Sequence, residues 1–207
     1  HLSLYQLTIE PGTVFYSRQR RGEQLSLDDD HAADLFELTQ FMTAEAGLSA
    51  YEISNHAKAG MACQHNLNYW RSGDWVGIGP GAHSRFCMMS DNQCGLSRIG
   101  VVTRRNPKSW QDSVTKNGHG IDLKLADHPS EFAAEMMMMG LRLSEGVQID
   151  RIEELCGPKD SWLDQSALEN AITAGWLALQ KTGNKTQLLS TSNGRLRLNQ
   201  VLAMVLQ

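Results

Sequence analysis

The sequence predicts an α/β fold in two parts, and three observations predict it. Strand-like and helix-like stretches alternate through the first third of the chain. From about Pro129 the texture becomes helical. A short hairpin then precedes the last helix. The alternation is the pattern of a parallel sheet or barrel, and the remainder suits a small winged-helix-like domain.

The elements justify this in order. Leu2 to Ile9 is mostly apolar and rich in strand formers, as in a strand covered on both faces. "EPGT" turns the chain, and residues 13–27 read as polar and irregular. Asp28 to Asp30 offer an N-cap and negative charge to a helix that stops at Gly47. Leu35, Phe36, Leu38, Phe41 and Met42 form its apolar stripe. "SAYEISN" is a second short strand, and "DWVGIG" a third after a long loop. The loops at the carboxyl ends of these strands carry the unusual residues, where ligands sit in such folds.

Residues 95–127 read as a surface excursion, with a short helix between Pro107 and Gly118. Ser130 is the candidate cap of "SEFAAEMMMMGLRLSEG". "DRIEELCG" and "SALENAITAG" are helices stopped by Gly157 and Gly175. "WLALQ" and "TQLLS" flank "KTGNK" as a hairpin, and "TSNGRLRLNQVLAMVL" closes as one helix. The first residue is His1 within a strand-like run, which suggests that preceding chain is missing.

Composition bounds the function. The 207 residues are 41% hydrophobic and 20% charged, with net charge −4 and pI about 6.0. From Ser130 to Gln207 seven basic residues face nine acidic ones, the reverse of a DNA reader. No nucleic acid is expected as a partner. No apolar run reaches the ~20 residues of a membrane span. Cys63, Cys87, Cys94 and Cys156 lie 24, 7 and 62 residues apart, with no close pair. Free thiols in a reduced, cytoplasmic protein are the expectation.

The chemistry concentrates in "CQHNLNYWRSGDWVGIGPGAHSRF". "GIGPGA" fits a loose dinucleotide turn, but neither an immediate helix nor an acidic residue some 20 positions on follows it. Glycines that admit a flat ligand and a tight turn are equally good accounts. In "HNLNYW", His65 can ligate a metal or move a proton, and Tyr69 and Trp70 can stack on a flat molecule. Asn66 and Asn68 can fix polar groups. A packed loop explains the same residues as well. His83 and Ser84 with Glu52 make a weak hydrolase set without a nucleophile elbow. Glu52 can face a ligand or make a structural hydrogen bond. Cys87 and Cys94 with His83 match no common zinc spacing. Met136 to Met139 are adaptable core filling rather than a haem ligand. Arg104 and Arg105 can pair with ligand carboxylates, but read as solvated surface.

"YQLTIEPGT", "YEISN", "HNLNYWRSGDWVGIGPGAHS", "MMGLRLSEGV" and "LNQVL" occur in an order that resembles the carboxyl-terminal part of the HemW-type haem chaperones. These are radical S-adenosylmethionine proteins related to the oxygen-independent coproporphyrinogen III oxidases. The resemblance implies the last strands of an incomplete, TIM-like β/α barrel over residues 1–128. A helical, winged-helix-like domain over 129–207 would follow. It implies S-adenosylmethionine and a [4Fe–4S] cluster on a CxxxCxxC motif, which the cysteine gaps here exclude. The cluster half is expected to be absent. The "HNxxYW" hallmark makes His65, Asn66, Tyr69 and Trp70 the haem-binding candidates, with His65 against the iron. Gly77, Gly79 and Gly81, on the last barrel strand, would line the cofactor cavity.

The function so implied is haem binding and delivery to haem-requiring acceptor proteins, with membrane association only peripheral and through those acceptors. The alternative is oxygen-independent coproporphyrinogen III oxidation, with Arg104 and Arg105 on propionates. The resemblance leaves open whether the chain is an enzyme. A half barrel by itself would expose sheet edges and apolar faces.

Overall fold

The computed structural model describes residues 1–89, 96–183 and 185–207. Cys94, and with it any Cys87–Cys94 site, lies outside them. The chain clusters into two compact units, His1–Cys63 and Gln64–Gln207. The sequence-based boundary near 128 falls inside the second.

In the first unit, strand β1 (Leu2–Ser3) is followed by helix α1 (Val14–Arg20) and helix α2 (Asp29–Glu45). Strands β2 (Ser49–Ala50) and β3 (Asn55–Ala57) complete a three-stranded sheet in the order β1-β3-β2. The stretch read as irregular, residues 13–27, therefore contains a helix. Thr13 starts it, its hydroxyl accepting the Tyr16 N–H at 3.2 Å. Helix α2 has the cap foreseen: Asp28 Oδ1 accepts the His31 N–H at 3.0 Å. Gly47, at φ 73°, ends its last turn. The apolar stripe of α2 is open, with Leu35, Leu38, Phe41 and Met42 each about half exposed or more.

Two expectations fail here. The long strand from Leu2 to Ile9 shrinks to two paired residues, with one further bond from Leu4 N–H to the Ser54 carbonyl. "SAYEISN" is not one strand: Ser49–Ala50 form β2, Asn55 opens β3, and residues 51–54 turn between them. The buried Glu52 folds it: Oε1 accepts the Ser54 N–H at 2.7 Å, the Ser54 hydroxyl at 2.5 Å and Asn55 Nδ2 at 2.7 Å. A carboxyl so engaged supports a turn better than an open ladder does. The structural account of Glu52 therefore stands.

The second unit opens with helix α3 (Gln64–Trp70) and an antiparallel meander, β4 (His83–Met89), β5 (Leu96–Thr103) and β6 (Ile121–Ala126). Helix α4 (Pro107–Asn117) joins β5 to β6, capped by Asn106 and stopped by Gly118 at φ 77°. Within the supposed surface excursion, β5 is the middle strand of a sheet, with Ile99 and Val101 buried, while β6 is an exposed edge.

Helix α5 (Pro129–Gly140) leads into the core. Its cap is His128 rather than Ser130, because a capping box forms with Glu131, whose Oε2 accepts the His128 N–H at 2.9 Å. Phe132, Met136 and Met137 are buried, so two of the four methionines fill core as expected, while Met138 is half exposed. Helix α6 (Ile149–Cys156), helix α7 (Gln165–Thr173) and the sheet β7-β9-β8 follow. In that sheet β7 is Val147–Gln148, β8 is Leu177–Thr182 and β9 is Lys185–Ser190; β8 and β9 are the foreseen hairpin. The closing helix is broken into α8 (Ser192–Arg195) and α9 (Leu198–Val205), since Thr191 caps α8 and the chain leaves helical geometry at Arg197. The core around Trp162, Leu188, Val201 and Val205 is closed to solvent.

The architecture is mixed α/β with small sheets. The parallel pairing expected of barrel strands is not what the described residues show: every described strand pair is antiparallel. Between β2 and β3 only residues 51–54 intervene, too few for the crossover that parallel neighbours need. Among the described residues no helix is long and apolar enough to cross a membrane.

Candidate functional site

The HNLNYW segment is a helix, although asparagines and aromatics are weak helix formers. Burial of Leu67 holds it, and its end is stitched by Arg71 N–H to Leu67 O (2.9 Å) and Gly73 N–H to Asn68 O (2.8 Å). Ser72 takes the left-handed turn at φ 50°, a place usually given to glycine. Gly73 is required for space, because a Cβ there would sit 2.2 Å from Asn68 Oδ1. Asn68 in turn donates from Nδ2 to the Asp74 carbonyl at 3.0 Å. The asparagine is therefore a structural clamp on the following loop.

Helical spacing divides the four candidates. His65 and Tyr69, four residues apart, differ by only about 40° around the axis; His65 and Trp70 differ by about 140°. His65 is exposed and stands edge-on to Tyr69, ring centroids 4.7 Å apart at 86°. Tyr69 meets Trp75 edge-on at 4.5 Å. Trp70 turns elsewhere, under the Arg142 guanidinium at 4.6 Å, and lines a cleft with Met136, Val147 and Arg151. Asn66 is half-buried, one helical turn before Trp70. The structure thus brings His65 and Tyr69 together with Trp75, and sets Trp70 apart from them.

The glycine segment is not a regular strand. Residues 74–81 pair with β4 only at Trp75 and Arg85, whose backbones exchange bonds of 2.7 and 3.0 Å. Its remaining anchors go to side chains and to the end of β5. Gly77 N–H donates to Ser84 Oγ at 3.0 Å, and Gly81 N–H to the Arg104 carbonyl at 2.9 Å. Such mixed partners do not build a ladder, which is why the third strand expected from sequence is missing. The three glycines differ. A Cβ on Gly77 would lie 2.3 Å from the His83 carbonyl oxygen, and Gly81 faces Arg105 at 3.7 Å. Gly79, at φ 102°, faces open space.

The remaining candidates resolve into structural roles. Ser84 is buried and spent on Gly77, and His83, next along the strand, is exposed on the opposite face. They make no nucleophilic pair. Arg104 reaches Ser109 Oγ at 3.4 Å. Arg71 grips Glu145 in a fork of 2.7 and 2.9 Å, and the hydrogen-bonded carboxylate holds its guanidinium pKa up. Burial, with a smaller contribution from Cys87, pushes the Cys156 thiol up to about 11, the reverse of what a metal-binding thiolate needs. Among the described residues no group of three or more His, Cys, Asp or Glu could hold a metal ion. The donor set among the described residues does not fit an iron–sulfur cluster.

Sequence reasoning missed Arg98 at the centre of this region. It lay in a basic stretch read as solvated surface. The available signal was its position among Leu96, Ile99 and Val101, the texture of a buried strand. Trp75 was likewise treated only as part of a strand.

Residues 127–200 match the HemN C-terminal domain. The chain is 35% identical to the haem chaperone HemW of Escherichia coli (strain K12), over all of this chain and 50% of that one. It is 34% identical to the mitochondrial radical S-adenosyl methionine domain-containing protein 1 of Dictyostelium discoideum, over all of this chain and 50% of the relative. The mouse protein of the same name is 37% identical over 71% of this chain and 33% of its own. The chain spans a third to a half of the length of these curated relatives. Its fold resembles part of the Escherichia coli coproporphyrinogen III oxidase HemN, a radical SAM enzyme. The TM-score is 0.60 and the identity 14%, covering 91% of this chain and 44% of that structure. Residues 127–200 thus match the HemN C-terminal domain, and the chain as a whole is similar to the carboxyl-terminal half of proteins named haem chaperone HemW and radical S-adenosyl methionine domain-containing protein 1.

Proposed function

We propose that the protein binds haem and hands it to haem-requiring acceptor proteins, with His65 contacting the iron. One observation carries the proposal: an exposed imidazole, backed by the edge-on rings of Tyr69 and Trp75, on a helix of a chain similar to proteins named haem chaperones. A neutral imidazole nitrogen is a good axial ligand for haem iron, and neighbouring aromatic edges suit a flat apolar macrocycle. Gly79, with open space above it, is the glycine at which such a ligand can approach the backbone. Asn66 and Trp70, turned away from His65 around α3, would not reach the same iron.

S-adenosylmethionine and a [4Fe–4S] cluster belong, in this reading, to the full-length protein and to residues outside this chain. The protein would work in the cytoplasm, meeting membranes only through its acceptors. Haem titrated into the full-length protein and its His65→Ala variant tests the role of His65. The variant should bind at least about tenfold more weakly, about 1.4 kcal/mol, with a shifted Soret band. Equal affinity and identical spectra would reject it.

A second reading, oxygen-independent coproporphyrinogen III oxidation, has support from the fold likeness and from Arg104 and Arg105 beside Gly81. An anaerobic assay with reductant, S-adenosylmethionine and coproporphyrinogen decides it. No vinyl product where a positive control turns over would remove it.

A further inference from the structure

We propose that Arg98 is a positioning residue for His65, acting through Trp75 and Tyr69. The inference rests on the haem-binding reading of His65. Arg98 stands on β5 with its side chain wholly out of solvent, while its ion-pair partner Asp74 stays more than half exposed. Its Nη1 donates to Asp74 Oδ1 at 2.8 Å and its Nη2 to the Gly73 carbonyl at 2.9 Å. The guanidinium carbon lies 5.4 Å from the Trp75 ring centroid and 5.1 Å from that of Phe132 on α5. Among the described residues its Nε has no hydrogen-bond partner.

This is a poor arrangement for stability alone. A buried guanidinium with an unsatisfied Nε, paired to a carboxylate that remains in water, gains little over an apolar side chain of the same length. What an apolar side chain could not do is hold three things at once. Arg98 fixes the Gly73–Asp74 backbone at the end of α3, holds the Asp74 carboxylate that also accepts the Cys87 N–H at 3.1 Å, and presents a cation to the Trp75 face. Trp75 then limits Tyr69, and Tyr69 is the ring neighbour that orients His65. The contacts run from Phe132 in the core to the exposed imidazole through Arg98, Trp75 and Tyr69. A ligand on an exposed short helix gains precision only from such support.

The test compares Arg98→Met and Arg98→Lys with the parent in the full-length protein. Thermal melting serves as the control for folding. The imidazole carbon–proton resonances of ¹³C-histidine protein, with His65 assigned from His65→Ala, report the ring without haem. In the parent the His65 resonance should be displaced by the Tyr69 ring. In Arg98→Met it should move toward the free-histidine position while the melting temperature holds or rises. Haem should then bind severalfold more weakly, with an altered Soret band. Arg98→Lys should not restore either property, because an ammonium cannot fork between Asp74 and Gly73. A His65 resonance unchanged in Arg98→Met overturns the inference, whatever haem does. If the resonance moves as expected but His65→Ala binds haem like the parent, the haem reading fails and the positioning role stands. Should Arg98→Met unfold, Trp75→Leu replaces it, and an unmoved His65 resonance there overturns the inference equally.

Discussion

At the scale of single residues, close approach and burial decide what each position tolerates. Gly77→Ala would press a Cβ to 2.3 Å from the His83 carbonyl oxygen. Backbone must then move, at about 1–3 kcal/mol. Chemical denaturation should show a lower midpoint, whereas the open space at Gly79 predicts only the cost of its positive φ for Gly79→Ala. Glu52 is the second such residue. Glu52→Ala would leave the buried Asn55 amide and the Ser54 N–H without their carboxylate acceptor. The loss should be about 2–3 kcal/mol or more in a denaturation curve.

His56 makes a pH prediction. It is buried, Thr43 Oγ1 lies 3.0 Å from its Nδ1, and its Nε2 has no hydrogen-bond partner among the described residues. Burial depresses its pKa below 6.5, and the Glu52 charge opposes this only in part. The unfolded chain therefore binds more protons than the folded one as pH falls below 6.5. Stability is full above that value and is lost as pH descends toward the depressed folded pKa. The melting temperature should climb from pH 5 to pH 7, and His56→Phe should flatten the climb. An equal slope in the variant would count against this assignment.

At the scale of elements, local signals near helix ends read well. Asp28, Gly47, Pro107, Gly118 and Gly157 all sit where the sequence placed them, because a cap or a left-handed turn is a property of a few adjacent residues. Asp28→Ala should cost α2 about 1 kcal/mol, read as a lower unfolding midpoint. Elements held by distant partners were misread. Helix α3 looks like a loop because its residues do not favour helix; Leu67 burial and the Asn68 clamp create it. The break inside "SAYEISN" is local instead, made by Glu52 with Ser54 and Asn55, but no periodicity reveals a carboxyl's acceptor role. Within the supposed surface excursion at 95–127, β5 proved a central strand, since a count of charges cannot distinguish a solvated arginine from Arg98.

At the scale of the whole molecule, the apolar stripe of α2 and the side chains of Val76 and Ile78 are largely open to solvent. Patches of this kind bind partners or aggregate. The isolated 207-residue chain should bind an apolar dye, and Phe41→Gln with Met42→Gln should reduce the signal without lowering the melting temperature. Dye binding unchanged in the double variant would place the patch elsewhere.

The sequence by itself determined the mixed α/β texture, the helix stops, the closing hairpin and the family resemblance. It also singled out His65, because each of these depends on residues close together in the chain or on a specific motif. Tertiary structure alone decided which motif residues meet. Helical geometry sent Trp70 away from His65, and Trp75 took the place beside Tyr69. The support beneath the imidazole, Arg98 between Trp75 and Phe132, joins residues some 20 to 35 positions apart. Only packing can bring such groups together, since neither spacing nor propensity encodes a contact between side chains on different elements.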